Sequence, residues 1–119
     1  VSFSKRSLKT SAKLAGLKMA VSMCDLTTLE GKDTPGKVAY LCRKAVHPIE
    51  AKYAVPSCAA VCVYPNMVRA ARKFLGANSP VNIAAVATGW HSLEELEAAR
   101  PDLLFPHLED PGPLLELLT

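Results

Sequence analysis

Four short apolar runs, each followed by a segment with helical periodicity, constrain the fold of this chain more than any other feature. The runs occupy residues 21–29, 57–64, 81–88 and 102–106. Because they contain few polar side chains, they are typical of strands that are covered on both faces. Strands that alternate with single helices pair in parallel through right-handed crossovers. With a further helix at the start, the sequence predicts an α/β fold of four parallel strands in the order αβαβαβαβα.

The helices between these runs carry recognisable end signals. Residues 4–20 are predicted to form the first helix. Thr34 is the predicted N-cap of the second helix, because Pro35 behind it already has a helical φ angle. Ser92 and Glu95 have the spacing of a capping box at the start of the fourth helix. The third and last helices are predicted to begin at Pro65 and at Asp110, and Gly76 is predicted to end the third.

Length and composition are those of a small globular protein. Half of the 119 residues are hydrophobic, so one core and a single domain over residues 1–119 are expected. The net charge is +3, with a run of five basic side chains between residues 5 and 18. No aromatic residue lies within that run to stack on bases, so it is interpreted as a solvated helix face. We therefore expect no nucleic-acid partner.

The four cysteines, Cys24, Cys42, Cys58 and Cys62, form no C-x-x-C pair, so no metal site is predicted, and no cofactor is expected. Three of them lie on predicted strands and one on the apolar face of a helix, so all four thiols are expected to be buried and slow to react. No apolar run reaches the length of about 20 residues that a membrane span needs. Free thiols and the lack of a secretory signal lead us to expect a cytoplasmic protein without membrane contact.

Two of the strand motifs resemble those of a known enzyme family. The segments 22–48 and 58–75 contain D-L-T-T-L and A-A-V-C-V-Y-P, which are similar to the first two strands of deoxyribose-phosphate aldolases. The first helix and V-N-I-A-A-V-A-T-G (81–89) extend this resemblance over residues 4–89. It implies half of a TIM-like barrel with strand order 1-2-3-4, which we favour. A doubly wound, flavodoxin- or Rossmann-like order 2-1-3-4 is the alternative.

The tail resembles a different family. Residues 84–119 are similar to the end of haloacid-dehalogenase-like phosphatases, with a T-G-x-H-S turn, an acidic helix, a D-L-L-F-P strand and a leucine-rich last helix. Two families that meet within one strand indicate an engineered or recombined chimera.

Candidate site residues follow from these resemblances and from charge burial. Asp25 lies in an apolar strand, so it is expected to face a polar cavity or a partner, because a lone buried carboxylate is unfavourable. The aldolase resemblance implies that Asp25 belongs to an active site and that Cys62 lines the pocket. The alternative is that Asp25 is a structural hydrogen-bond acceptor and Cys62 part of the core. Thr88, Gly89 and Ser92 form a candidate anion-binding turn before a helix.

Neither family's reaction centre is complete in the sequence. A class I aldolase needs a lysine on a strand whose side-chain amine is uncharged near neutral pH. Every lysine in this sequence lies on a predicted helix or loop. The resemblance places the imine-forming lysine on a later strand, and the phosphatase D-x-D turn is absent. We therefore expect a non-catalytic structural scaffold rather than an enzyme, forming a homodimer through an open sheet face. The alternatives are an aldolase-family lyase fragment with weak affinity for phosphate or a sugar phosphate, and a phosphatase-like hydrolase remnant.

Overall fold

Helices and strands alternate along the chain as the sequence predicts. The computed structural model describes residues 10–86 and 91–105. The elements in these ranges are α1 Thr10–Met23, β1 Asp25–Thr28, α2 Pro35–Val46, β2 Ala60–Val63, α3 Pro65–Leu75, β3 Asn82–Val86, α4 Leu93–Ala99 and β4 Leu103–Phe105. One 3-10 turn at Ala51–Tyr53 lies in the connection before β2. The predicted last helix lies outside the described residues.

The four strands form one parallel sheet in the order β1-β2-β3-β4. Thr27 pairs with Cys62, Cys62 with Ala84, and Ala84 with Leu103. The barrel-like order is thereby confirmed, and the doubly wound order 2-1-3-4 is excluded, since it would separate β2 from β3.

The main core lies between the sheet and helices α2, α3 and α4. Side chains alternate between the two faces of each strand, and on β2 and β3 those on the helix-covered face are fully buried. They meet apolar side chains of the three helices, and the central members are Val61, Val63, Ile83, Ala85, Val38, Cys42, Val68 and Leu96. A smaller cluster of Cys62, Ala84 and Val86 lies on the opposite face, which we call the inner face.

Strand ends differ from the prediction. The predicted first strand began at residue 21, but α1 continues to Met23 and leaves only four residues in β1. The pairing of β1 with β2 begins where a hydrogen-bond partner on the neighbouring segment is present. The Ala59 amide donates to the Cys24 carbonyl over 2.8 Å. Two residues before β2, the Cys58 amide donates instead to the carbonyl of Ala45 at the end of α2. Hydrogen-bond partners, which no local pattern reveals, set these boundaries.

Helix caps agree with the prediction more closely. The Thr34 hydroxyl accepts a hydrogen bond from the Lys37 amide over 3.2 Å, and α2 begins at Pro35. Ser92 and Glu95 form both hydrogen bonds of a capping box. Gly76 ends α3 with a φ of 78°, which glycine adopts without a side-chain clash.

Helix α1 is the element least engaged with the rest of the described structure. It has no buried residue, and Leu14, Leu17, Met19 and Met23 are at least half exposed. Cys24, which follows it, is exposed as well, so the expectation that all four thiols are buried is wrong for Cys24. Within the described residues, no helix combines the length and apolar character needed to cross a bilayer.

Candidate functional site

The inner face of β1 and β2 brings together the two residues predicted for a pocket. Asp25 pairs with Ala60 and Thr27 with Cys62, so the side chains of Asp25, Thr27 and Cys62 lie on one face of adjacent strands. The Thr27 hydroxyl donates to Oδ2 of Asp25 over 2.6 Å. We call these three residues the β1–β2 polar group.

Asp25 is exposed on this face, whereas Cys62 is buried beside it. Burial raises the pKa of the Cys62 thiol, the negative charge of Asp25 raises it further, and the Thr27 hydroxyl lowers it in part. The thiol therefore stays protonated at neutral pH and is a poor nucleophile. Oδ2 of Asp25 is held by Thr27, so a bound hydroxyl or water would meet Oδ1.

The inner face changes from polar to apolar across the sheet. Leu29 near β1 and Leu103 and Phe105 on β4 pack against the small inner cluster. A carboxylate beside an apolar wall suits a small ligand that has hydroxyl groups and a carbon skeleton.

A second acidic group, which the sequence analysis missed, orders the loop after β1. The carboxylate of Asp33 accepts a hydrogen bond from the Thr28 hydroxyl at 2.8 Å and one from the Glu30 amide at 3.1 Å. Nζ of Lys37 lies 3.0 Å from Asp33 and 2.7 Å from Oε2 of Glu30. We call this set the Asp33 cluster. The sequence did contain a signal for this cluster: Asp33 directly precedes the N-cap Thr34, and Lys37 follows Asp33 by four residues.

Burial and hydrogen bonding shift the pKa of Asp33 in opposite directions. Burial alone would raise the pKa of Asp33, but the bonds from Lys37, from Thr28 and from the Glu30 amide outweigh it and lower the pKa. The group is therefore a charged structural clamp at the carboxyl end of β1.

Asp102 was likewise missed as a structural residue. It directly precedes β4, and its Oδ2 accepts a hydrogen bond from the Ile83 amide over 2.7 Å. Oδ1 accepts one from the Arg72 guanidinium of α3 over 2.8 Å. This carboxylate thus connects the starts of β3 and β4 with the last turn of α3.

The predicted anion-binding turn is described only at its end. Thr88 and Gly89 lie outside the described residues. The Ser92 amide donates to Oε2 of Glu95 over 2.8 Å, and the Ser92 hydroxyl accepts from the Glu95 amide. Both polar groups of Ser92 therefore serve the cap of α4, and anion binding at this turn stays a prediction.

The four described strands contain no lysine. Lys37 of α2 forms ion pairs with Glu30 and Asp33. Within residues 10–86 and 91–105, no group of three His, Cys, Asp or Glu side chains converges as metal ligands would.

Comparison with known proteins finds relatives that are named as deoxyribose-phosphate aldolases. The chain is 39% identical to a deoxyribose-phosphate aldolase from Mus musculus over 82% of its own length and 36% of the relative's. It is 36% identical to the Bos taurus deoxyribose-phosphate aldolase, again over 82% of this chain and 36% of that protein. A putative deoxyribose-phosphate aldolase from Caenorhabditis elegans is 36% identical over 64% of this chain and 25% of the relative. No family model matches the chain.

A solved structure agrees with the fold. The crystal structure of a putative deoxyribose-phosphate aldolase from Coccidioides immitis superposes with a TM-score of 0.53 at 22% sequence identity. The superposition covers 73% of this chain and 35% of that chain. At this identity the likeness supports the half-barrel arrangement of the sheet and nothing finer.

These comparisons correct two expectations. The chain was expected not to be an enzyme, but relatives at 36–39% identity are named as aldolases, which contradicts that expectation. Similarity over 82% of the chain is also longer than the segment 4–89, and it gives no support to a haloacid-dehalogenase-like tail or to a chimera. The chain spans about a third of the length of the mouse and bovine relatives that it matches. Most of this chain is therefore similar in sequence to about a third of a deoxyribose-phosphate aldolase.

Proposed function

We propose that this chain is a segment of a deoxyribose-phosphate aldolase and forms the β1–β4 side of its barrel, with Asp25 in the active site. The observation that carries the proposal is the Asp25–Thr27 pair on the inner face of a sequentially ordered parallel sheet. Similarity to aldolases over most of the chain supports the same assignment.

The reaction would be the reversible cleavage of a carbon–carbon bond in a deoxyribose phosphate. Such a lyase forms an imine between a lysine amine and the sugar carbonyl, which stabilises the carbanion left by cleavage. The described strands provide no lysine for this step, so it would come from the part of the aldolase that this chain does not match. The chain's own contribution would be a carboxylate that binds a sugar hydroxyl or relays a proton.

Thr27 would set the orientation of that carboxylate. Its 2.6 Å hydrogen bond fixes Oδ2 of Asp25, and Oδ1 would then meet the substrate. The apolar side chains on β3 and β4 would contact the carbon skeleton. The Asp33 cluster would hold the loop at the carboxyl ends of the strands, where barrel enzymes bind their substrates.

Complementation with the missing part of a relative tests this function. The chain is mixed with the portion of the mouse aldolase that lies beyond its match, and aldehyde release from deoxyribose 5-phosphate is followed. Activity is expected only when both polypeptides are present, and borohydride should fix the sugar to the mouse portion. In the same assay Asp25→Asn should lower kcat about 100-fold, the lower end of the range for loss of an acid–base group.

Glu50→Gln is the matched control, because Glu50 is an exposed carboxylate paired only with the exposed Lys52 within the described structure. It should leave the reconstituted activity unchanged. A stable complex without any activity would overturn the proposed function. So would an Asp25→Asn variant as active as the unmodified chain.

A further inference from the structure

We propose that Cys24 and Cys58 are a redox-sensitive pair, and that a peroxide converts them to a disulfide that ties the start of β1 to the start of β2. Both thiols are free in the structure. The inference concerns the amino end of the sheet and is independent of the proposed function.

Backbone register brings the two cysteines close together. Cys24 immediately precedes β1, and its carbonyl accepts a hydrogen bond from the Ala59 amide over 2.8 Å. Cys24 therefore lies opposite Ala59, the direct neighbour of Cys58. Adjacent strands are about 4.8 Å apart, so the diagonal neighbour falls in the range of about 4.4–6.8 Å between Cα atoms that a disulfide spans.

Both side chains lie away from the inner face. The side chain of Cys24 alternates with that of Asp25, which is on the inner face. Cys58 precedes a bend at Ala59, so it does not continue the alternation of β2, and it belongs to the helix-side core. Burial raises the pKa of the Cys58 thiol, and negative charge on Cys24 and Asp25 raises it further, in keeping with their closeness.

The two thiols differ in access, which sets the order of the reaction. Cys24 is exposed, and its thiol donates only to the Ala20 carbonyl, over 3.2 Å. A peroxide oxidises this thiol to a sulfenic acid and is itself reduced, giving one water from hydrogen peroxide. The Cys58 sulfur then attacks the Cys24 sulfur, the S–O bond breaks, and the sulfenic oxygen takes up the Cys58 proton and leaves as a second water. The raised pKa of Cys58 makes this the slow step. Two electrons pass from the two thiols to the peroxide.

The Cys24–Cys58 disulfide would anchor helix α1, which has few packing contacts of its own. Helix α1 contributes no buried residue, whereas Cys58 is 4% exposed within the core. A covalent link at Cys24 would hold the end of α1 and the start of β1 against that core. Oxidation should therefore raise the thermal unfolding midpoint of the chain, and a dithiol reductant should reverse the rise.

The test is to treat the full chain with hydrogen peroxide and map its peptides without reduction. The expected result is loss of the mass of two hydrogen atoms and one linked peptide pair that contains Cys24 and Cys58. The Cys24→Ser variant should show neither the link nor the rise in midpoint. Cys42→Ala should still show the link, because Cys42 is the other buried thiol of the same core.

Three results would overturn the proposal. One is a link between Cys42 and Cys58 in place of the Cys24–Cys58 pair. Another is addition of two or three oxygen atoms to Cys24 with no link formed. The third is a midpoint that rises equally in Cys24→Ser.

Discussion

At the scale of single residues, Asp33 shows how this chain keeps a carboxylate inside. Its side chain is only 2% exposed. Isolation of such a charge from water is unfavourable unless hydrogen bonds replace the lost hydration. The Thr28 hydroxyl, the Glu30 amide and the Lys37 ammonium supply those bonds. The loop after β1 is therefore ordered by the same groups that keep Asp33 charged.

Stability should consequently depend on pH through Asp33. The pKa of Asp33 is lowered in the folded chain, so its contribution is complete above the unfolded-state pKa of about 4. The contribution is lost as pH falls from there through the lower, folded-state pKa. Asp33→Asn should lower the free energy of unfolding at neutral pH by about 1–3 kcal/mol. It should also flatten the pH dependence below about pH 4, measured by urea unfolding.

Glu50→Gln is the control for this measurement, because Glu50 and Lys52 are both mostly exposed. Its curve should follow that of the unmodified chain. If Asp33→Asn shifts the curve without flattening it, then Asp33 is not the titrating group.

Thiol reactivity separates Cys24 from the other cysteines. Under reducing conditions Cys24 should react rapidly with a thiol reagent because it is exposed. Cys42, Cys58 and Cys62 should react slowly, because burial both blocks access and raises the pKa of each thiol. Labelling followed by peptide mapping at increasing times gives the four rates. Rapid labelling of Cys62 would show that the inner face is more open than the structure has it.

At the scale of elements, the sequence predicted starts of helices better than ends of strands. Thr34, Pro35 and Ser92 act through neighbours three residues away or fewer, so a local pattern contains the whole signal. The start of β1 depends on a bond from Ala59, far along the chain, and the apolar run 21–29 gives no sign of it. Alternation between faces was predictable as well. Val81, Ile83 and Ala85 lie in the helix-side core and Ala84 and Val86 in the inner cluster, which is the period-two pattern of a strand.

The candidate site was predictable only where charge stands out from an apolar run. Asp25 meets that condition, and the aldolase resemblance pointed to the same residue. Asp33 lies in a polar loop, and Asp102 stands at the very start of the short run 102–106, so neither acid is flanked by apolar residues on both sides as Asp25 is. Their roles depend on contacts such as that between Asp102 and the Ile83 amide, nineteen residues away along the chain.

Removal of the Asp102 carboxylate should loosen the attachment of β4. Asp102→Ala leaves the Ile83 amide without its acceptor and removes the partner of Arg72. We expect a loss of about 1–3 kcal/mol in the free energy of unfolding, measured by urea denaturation. Asp102→Asn keeps one acceptor oxygen and should lose less. Glu97→Ala, an exposed acid on the neighbouring helix α4, should have little effect, and an equal loss there would contradict the role given to Asp102.

At the scale of the whole molecule, β3 shows that both faces of the sheet are used. Ile83 is fully buried in the helix-side core, and Val86 is 1% exposed in the inner cluster. Ile83→Ala should cost about 2–5 kcal/mol, and Val86→Ala somewhat less because fewer atoms are removed. Thermal unfolding of both variants measures this. If Val86→Ala proves harmless, the inner cluster contributes nothing and only one face of the sheet is packed.

The inner face also links the fold to the proposed function. Within residues 10–86 and 91–105, β1 and β4 each pair with one strand only, and β4 is partly exposed. Unpaired strand edges next to apolar side chains favour association with another chain. In a complete aldolase the remaining strands would cover this face.

The isolated chain should therefore self-associate through the same face, which is the homodimer expected from the sequence. Sedimentation of the chain over a range of concentrations should show a monomer–dimer equilibrium. Phe105→Lys places a charge among the inner-face side chains and should shift this equilibrium to monomer. Tyr40→Lys is the control, because Tyr40 is 64% exposed and lies on helix α2 rather than on the sheet. Addition of the complementary part of the mouse aldolase should displace the dimer, since both partners would compete for one surface. A dimer that persists in Phe105→Lys but not in Tyr40→Lys would place the interface on the helices, and the inner face would then be free of any partner.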